Sequence, residues 1–96
     1  AKNENSTIAI QNYPNPFNPS TTLNYKMEKP GFVSIKIYDI LGREVKMLVN
    51  EFKNPGNHSI MMNGSDMASG NYFYRMEFTP QNGKKEVIQK SMQLIK

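Results

Sequence analysis

The sequence predicts an antiparallel β-sandwich of about seven strands, and three observations support that fold class. Apolar side chains recur with a period of two along most of the 96 residues, which is the spacing of a strand with one buried face. Glycine, proline and asparagine interrupt these runs at short intervals. No segment has a convincing helical period. Short strands with this spacing are typical of two sheets packed around one core.

The seven strands are expected at residues 7–11, 21–27, 32–40, 44–49, 57–62, 71–79 and 84–95. The alternation is clearest in the second, third and sixth of them. Their apolar faces consist of Leu23, Tyr25 and Met27, then Val33, Ile35 and Ile37, then Tyr72, Tyr74, Met76 and Phe78. Residues between these are mostly polar, so one face of each strand can be buried while the other meets water.

Turn-forming residues separate the expected strands. Gly42 lies between the third and fourth, where a hairpin needs a residue with positive φ. The other turns are expected at Pro30-Gly31, Pro55-Gly56, Asn63-Gly64, Ser69-Gly70-Asn71 and Pro80-Gln81-Asn82-Gly83. Each of these pairs or clusters is a common turn signal.

Residues 38–50 are the one segment in which a helix competes with this interpretation. The apolar residues that nearly fit a period of 3.6 are Ile40, Leu41, Val45, Leu48 and Val49. Gly42 in the middle of the segment and the strand pattern before it favour the hairpin.

The seventh strand contains one residue that breaks its pattern. Ile88, Met92 and Leu94 share a face, and by alternation Lys90 shares it too. Either a bulge near Gln89–Ser91 turns Lys90 outward or the strand is interrupted there, and we favour the bulge.

Size and charge describe one small globular domain. A chain of this length buries roughly 60–65% of its unfolded surface, which gives one core and little room for a deep catalytic cleft. The net charge is +4, and most of it lies in residues 84–96, where four lysines face one glutamate. Such a segment can contact an acidic protein, anionic lipid or nucleic acid, or keep a strand face soluble.

The first residues differ from the rest of the chain. The sequence begins at Ala1 and continues with the polar run from Lys2 to Ser6, and neither a signal peptide nor a run of about 18 apolar residues is visible. We interpret residues 1–7 as a linker from a longer parent protein and residues 8–96 as the domain.

The sequence is short of catalytic and metal-binding groups. It contains no cysteine, and His58 is its only histidine, so thiolate chemistry and a zinc site with three or four protein ligands are excluded. The hydroxyl-rich run from Ser20 to Thr22 has no glycine elbow. The acidic residues do not converge on one place in the sequence. We therefore expect no enzyme activity, no catalytic residue, no metal and no cofactor.

Three kinds of ligand are weaker alternatives. Asn63, Asp66 and the backbone near Ser65 offer oxygen ligands for calcium, but one carboxylate is a poor complement for a divalent cation. The aromatic residues that would have to form a sugar-binding surface are Tyr13, Phe17, Tyr38 and Phe73. Strands with aromatic and basic residues also bind single-stranded nucleic acid. Most tyrosines fall on the expected buried face, so core packing is favoured and no nucleic acid partner is expected.

The most unusual stretch runs from Tyr13 to Thr21, with the sequence Tyr-Pro-Asn-Pro-Phe-Asn-Pro-Ser-Thr. Pro14, Pro16 and Pro19 fix φ and remove three backbone donors, so the stretch is neither a helix nor an inner strand. Asn15 and Asn18 can hold turns by bonding to nearby backbone. Phe17 and Tyr13 supply apolar anchors. The residues alone predict a rigid crossover that covers one edge of the core.

This stretch and three later motifs resemble the type A C-terminal sorting domain of type IX secretion substrates, also called the Por secretion system C-terminal domain. The later motifs are Ile35-Lys36-Ile37-Tyr38-Asp39 with Leu41-Gly42-Arg43-Glu44-Val45, Ala68-Ser69-Gly70-Asn71-Tyr72-Phe73-Tyr74-Arg75, and the closing segment from Lys90 to Lys96. The resemblance covers residues 8–96 and implies an immunoglobulin-like antiparallel β-sandwich. The immunoglobulin-like domain of flagellar hook-capping proteins is more distantly similar. Family members often carry a Trp where this chain has Ile60-Met61-Met62, and methionines can fill the same volume.

The resemblance implies a function in protein transport. The parent protein would cross the inner membrane, fold in the periplasm and be recognised through this domain by the outer-membrane type IX translocon. A sortase-like peptidase would then remove the domain N-terminal to Ile8, in or before residues 1–6, and leave the cargo extracellular or on the cell surface. The residues expected to contact the translocon are Lys85, Lys90, Met92, Leu94, Ile95 and Lys96, because a terminal edge strand can pair with a receptor strand. The proline loop, Tyr38, Asp39, Gly42, Arg43, Ser69, Gly70 and Tyr72 are expected to be structural.

Two other function classes stay open at this point. The domain could be an accessory module of an extracellular enzyme, binding carbohydrate or acting as a spacer, which would need a flat strip of exposed aromatic residues. It could also be a structural domain of a surface or flagellar assembly, which would predict a continuation beyond Lys96. In any of these roles an edge strand can pair with a second copy of the chain to form a dimer.

Overall fold

The computed structural model describes residues 7–96, and in that range the chain forms seven strands and no helix. The strands are β1 (Ile8–Tyr13), β2 (Ser20–Met27), β3 (Gly31–Asp39), β4 (Glu44–Lys53), β5 (Gly56–Asn63), β6 (Gly70–Pro80) and β7 (Glu86–Leu94). They confirm the number and order of strands predicted from the alternation. The same residues contain no helix with the length and apolar composition needed to cross a membrane.

The strands form two antiparallel sheets. One contains three strands in the order β1-β2-β5, and the other contains four in the order β4-β3-β6-β7. The buried side chains of both sheets form one core, which confirms the predicted β-sandwich. β1, β5, β4 and β7 are the edge strands.

The core follows the predicted alternation. In β2, β3 and β6 the buried side chains are Leu23, Tyr25, Met27, Val33, Ile35, Ile37, Tyr72, Tyr74, Met76 and Phe78. Met62 is buried beside them, whereas Met61 on the opposite face of β5 is exposed. Buried Met62 therefore fills part of the space that a tryptophan would fill in the family that the sequence resembles.

Residues 38–50 form a hairpin and not a helix. Tyr38 pairs with Glu44 and Ile35 with Val49, and Gly42 in the turn has a φ of 84°. The pairing of β3 with β4 shifts register twice, between Ile35 and Lys36 and between Ile37 and Tyr38. These shifts change which face the β4 side chains occupy. That change explains why the apolar spacing in this segment imitated a helical period.

The predicted bulge near Lys90 is wrong. The pairing of β6 with β7 runs without a register shift from Gly70↔Leu94 to Phe78↔Glu86, and Lys90 lies opposite Tyr74. Lys90 is nevertheless exposed. Because β7 is an edge strand, the long side chain leaves the sandwich beside Ile10 and Gln11 of β1 and needs no change of register.

The molecule is elongated, with extents of 41 × 24 × 21 Å, and its two ends differ. At one end Ile8 pairs with Met27, and Thr7 donates hydrogen bonds to the carboxylate of Glu86. The opposite end contains the loops at residues 14–19, 40–43 and 64–69 together with residues 95–96. We call this the motif end, because each of the four sequence motifs noted above contributes to it.

Candidate functional site

The motif end fixes the last residues of the chain from one side through the proline loop, residues 14–19. The Phe17 N–H donates to the Gln93 carbonyl at 2.9 Å, and the Ile95 N–H donates to the Phe17 carbonyl at 2.9 Å. Phe17 thus forms a parallel bridge with Leu94. The Asn15 side chain accepts a hydrogen bond from the Gln93 N–H at 3.0 Å. The loop therefore replaces a neighbouring strand along the outer edge of β7 at its end.

The side chains beneath this bridge are tightly packed. Phe17 and Leu94 are both buried, and the Gly64 N–H donates to the Pro19 carbonyl at 2.7 Å. A Cβ atom on Gly64 would lie 3.1 Å from the Pro19 oxygen, 3.2 Å from Leu94 and 3.3 Å from Phe17. Glycine at position 64 therefore lets the β5–β6 loop approach the proline loop closely.

The β5–β6 loop, residues 64–69, holds Lys96. The Lys96 N–H donates to the Ser69 hydroxyl at 3.0 Å, and its ammonium donates to the Ser65 carbonyl at 2.6 Å. The Tyr72 hydroxyl donates to the Ala68 carbonyl at 2.6 Å and stabilises the loop itself. Asp66 pairs with Lys46 at 3.2 Å, and that hydrogen bond lowers the pKa of the Asp66 carboxyl.

The turn between β3 and β4 is held by Asp39. One of its carboxylate oxygens accepts from the N–H groups of Leu41 at 2.9 Å and Arg43 at 3.0 Å, and the other accepts from Arg43 Nε at 2.8 Å. The backbone hydrogen bond from Arg43 is the largest cause that lowers the pKa of Asp39. A carboxylate with three donors gives a rigid turn, and this turn presents Ile40 and Leu41 to solvent.

The sequence matches one known protein family. The family model described as "Secretion system C-terminal sorting domain" matches residues 11–91. The chain belongs to this family. Its function is that of a C-terminal sorting signal in type IX secretion, which directs export to the cell surface or the extracellular space. This confirms the family resemblance drawn from the four motifs.

Solved structures support the fold of this sorting domain. A chain in the crystal structure of dimeric latent PorU from Porphyromonas gingivalis matches with a TM-score of 0.74 and 21% identity over 92% of this chain. The PmoD soluble domain from Methylocystis sp. ATCC 49242 (Rockwell) matches with a TM-score of 0.62 and 16% identity over 91% of this chain. The sorting domain corresponds to 9% of the PorU chain and 90% of the PmoD domain. No curated protein sequence matches it.

The residues expected to contact the translocon fall into two groups in the sorting domain. Lys85, Lys90, Ile95 and Lys96 are exposed, whereas Met92 and Leu94 are 2% and 1% exposed and belong to the core. In the folded domain only the exposed four offer side chains to a partner. Lys85 also pairs with Glu77 at 3.0 Å. Met92 and Leu94 instead anchor β7 to the sandwich.

The four aromatic residues considered for sugar binding do not form one flat surface. Phe17 is buried, and Tyr13 lies on the three-stranded sheet. Tyr38 and Phe73 are opposite each other on β3 and β6, but the Arg75 guanidinium covers the Tyr38 ring at 4.8 Å. This arrangement disfavours the carbohydrate-binding alternative.

The groups considered for metal binding are engaged in other contacts. Asp66 pairs with Lys46, and the Asn63 side chain accepts from the Ser65 N–H at 2.8 Å. His58 stacks on Tyr25, with a centroid distance of 5.2 Å, and its Nε2 lies 2.8 Å from the Asn54 carbonyl. Residues 7–96 contain no cluster of three or more His, Asp or Glu side chains suited to a metal ion.

One buried polar group at the motif end was missed by sequence reasoning. The Thr21 hydroxyl donates to the Pro14 carbonyl at 2.8 Å and accepts from the Asn12 side chain at 3.2 Å. Both side chains are buried. The signal was available in the alternation, because Asn12 and Thr21 occupy inward-facing positions of β1 and β2. A polar residue at such a position requires a buried partner.

Proposed function

We propose that the type IX translocon recognises this domain as a folded object, and that the exposed part of the last segment forms the contact. The observation that carries the proposal is the double attachment of residues 93–96. The proline loop bonds to Gln93 and Ile95, and the β5–β6 loop bonds to Lys96. A segment held in this way has a defined shape only while the whole sandwich is intact. A receptor that binds it thereby distinguishes a folded sorting domain from an unfolded one.

The side chains proposed to make the contact are Lys85, Lys90, Ile95 and Lys96. Lys90 and Lys96 make no ion pair among residues 7–96, so their charges are available to an acidic surface. Met92 and Leu94 contribute indirectly by burying the other face of β7.

Strand addition to β7 is restricted to part of its length. Gln93 directs its backbone N–H and C=O groups, and Ile95 its N–H group, toward the proline loop. In a strand every second residue directs these groups to the same side. The backbone groups of Val87, Gln89 and Ser91 therefore face the same outer edge. The Asn15 side chain reaches the Ser91 carbonyl at 3.5 Å. A receptor strand would therefore pair with residues 87–91 and stop at Asn15. The same edge is available to a second copy of the domain.

The proposed route is transit through the periplasm, recognition at the outer membrane and removal of the domain by a sortase-like peptidase. The expected cleavage position, N-terminal to Ile8, lies outside the described residues. β1 begins at the end of the sandwich opposite the motif end. A peptidase can therefore reach the junction with the cargo while the motif end is bound. We further propose that the domain itself has no catalytic activity.

An export assay tests this proposal. Residues 1–96 are fused to a periplasm-directed fluorescent protein in a host with a working type IX system, and secreted, surface and periplasmic fractions are measured. The decisive variant is Lys90→Glu with Lys96→Glu, because it keeps the core intact. Its matched control is Lys26→Glu with Lys29→Glu, which makes the same charge change on exposed residues elsewhere.

We expect the wild-type and control fusions to be exported. The double variant with Lys90→Glu and Lys96→Glu should remain in the periplasm as a folded protein. Retention of the folded wild-type fusion would contradict the sorting function of this domain. Normal export of the double variant would be consistent with the sorting function but would show that these two lysines do not contact the translocon.

A further inference from the structure

The turn between β3 and β4 exposes two large apolar side chains that the core does not use. Ile40 is 68% exposed and Leu41 is 72% exposed. Solvent-exposed turns usually carry small or polar residues. Here three hydrogen bonds to Asp39 hold the backbone that presents the two side chains. A rigid apolar projection loses little conformational entropy on binding, which is a property of residues that anchor protein interfaces.

The turn borders a cleft that a partner can also fill. The cleft has a volume of about 370 Å³ and lies between the turn and residues 69–72. Lys96 donates its N–H to Ser69 of that segment, and Leu94 pairs with Gly70. Ile95, which is 47% exposed, therefore lies at the same end of the molecule. The apolar turn and the last segment thus lie at one end of the molecule, and both border residues 69–72.

The charges at this end favour a protein over an anionic membrane. Arg43 is paired with Asp39 and Lys46 with Asp66, so neither cation is free to attract lipid headgroups. Lys84, which has no ion pair among residues 7–96, lies in the β6–β7 loop at the opposite end. Surface binding to anionic membranes combines apolar side chains with unpaired basic residues at one place. Among the cations that the structure describes at the motif end, Lys96 is the one whose charged group bonds to a carbonyl oxygen and not to a carboxylate.

We propose that Ile40, Leu41 and Ile95 form a docking surface for a protein partner with an apolar socket and a carboxylate at its rim facing Lys96. The inference rests on the proposed function, because the partner is then a component of the export machinery. It extends that function to a turn distant in sequence from the last segment, and it assigns the turn a role other than folding.

The test uses the same fluorescent fusion with Ile40→Ser and Leu41→Ser introduced together. Met61→Ser is the matched control, because Met61 is 69% exposed and lies on the other sheet. Thermal unfolding of each purified variant checks the fold. We expect melting temperatures like that of the wild type, normal export of Met61→Ser, and export of the double variant reduced by about tenfold or more. Lys96→Gln should reduce export less than the double variant does.

Four results would overturn the proposal. Normal export of the folded double variant removes the turn from the interface while leaving the sorting function standing. Equal loss of export in Met61→Ser shows that the effect is not specific to this surface. Cosedimentation of the wild-type domain, but not the double variant, with vesicles of phosphatidylethanolamine and phosphatidylglycerol assigns the turn to lipid. If the wild-type fusion itself is not exported, the sorting function and the docking surface fail together.

Discussion

Asn15 is the residue whose role depends most on its position against β7. Its side-chain oxygen accepts from the Gln93 N–H, and its amide nitrogen lies 3.5 Å from the Ser91 carbonyl. It thus occupies the position of a backbone amide from a missing neighbouring strand. Asn18, three residues later in the same loop, is exposed and makes no side-chain hydrogen bond within residues 7–96. The two asparagines look equivalent in sequence and differ in structure.

We expect Asn15→Ala to loosen the last segment without unfolding the domain. Loss of one hydrogen bond costs about 1 kcal/mol, which corresponds to an increase of about fivefold in local opening. Hydrogen exchange at the Ile95 amide, which donates to the Phe17 carbonyl, measures this opening, and Asn18→Ala serves as the control. Unchanged exchange at Ile95 in the Asn15 variant would show that the bonds to Phe17 hold the segment alone.

Thr21 gives a second prediction at this scale. Thr21→Val keeps the shape of the side chain but removes both hydrogen bonds, leaving the Pro14 carbonyl with a weaker partner in Asn12 at 3.3 Å. We expect a loss of roughly 1–3 kcal/mol in the free energy of unfolding, measured by urea denaturation. Thr21→Ser retains the hydroxyl and should lose less. A Val variant as stable as the wild type would mean that the buried network contributes nothing.

At the scale of elements, burial was predicted correctly from the sequence in strands with regular alternation. The prediction was less accurate in two strands at the edges of the four-stranded sheet. β2, β3 and β6 have neighbours on both sides, so period two and burial coincide along them. β4 and β7 are edge strands, and there a register shift or a long lysine side chain separates pattern from burial. The bulge predicted at Lys90 failed for this reason. The attachment of the proline loop to β7 joins residues 78 apart, and no local pattern encodes it.

The β3–β4 hairpin gives a pH prediction. The hydrogen bonds from Arg43 and Leu41 hold the pKa of the Asp39 carboxyl below its usual value. A carboxyl with a lowered folded-state pKa stabilises the fold above its unfolded-state pKa, and that contribution is lost as pH falls through the folded-state pKa. We expect the turn to loosen below about pH 4, observed as faster exchange of the Arg43 amide. Asp39→Asn should be loose at neutral pH, and its exchange, corrected for the intrinsic pH dependence, should not change over the same interval.

At the scale of the whole molecule, the last strand is a part of the core and not an appendage. Met92 and Leu94 are buried, and the bonds of the proline loop end on Gln93 and Ile95. Deletion of residues 90–96 would remove these groups together. A truncation of that kind changes folding as well as recognition, so surface substitutions are the sharper test of sorting.

We therefore expect Leu94→Ala to destabilise the domain by about 2–5 kcal/mol, because it leaves a cavity against Phe17 and Gly64. Thermal and urea unfolding measure the loss. Ile95→Ala, at an exposed neighbouring position, should change stability by less than about 0.5 kcal/mol. Equal effects of the two substitutions would contradict the anchoring role of Leu94.

The hydrogen bonds that join Phe17 to Gln93 and Ile95 also have a consequence for incomplete cargo proteins. The first strand of the sandwich comes early in the domain, but Phe17 in the loop that follows it finds both of its backbone hydrogen-bond partners at Gln93 and Ile95. A polypeptide terminated prematurely, or clipped by a protease before these residues, cannot complete the motif end. Under the recognition mode proposed above, such fragments are not exported, so export selects complete cargo proteins.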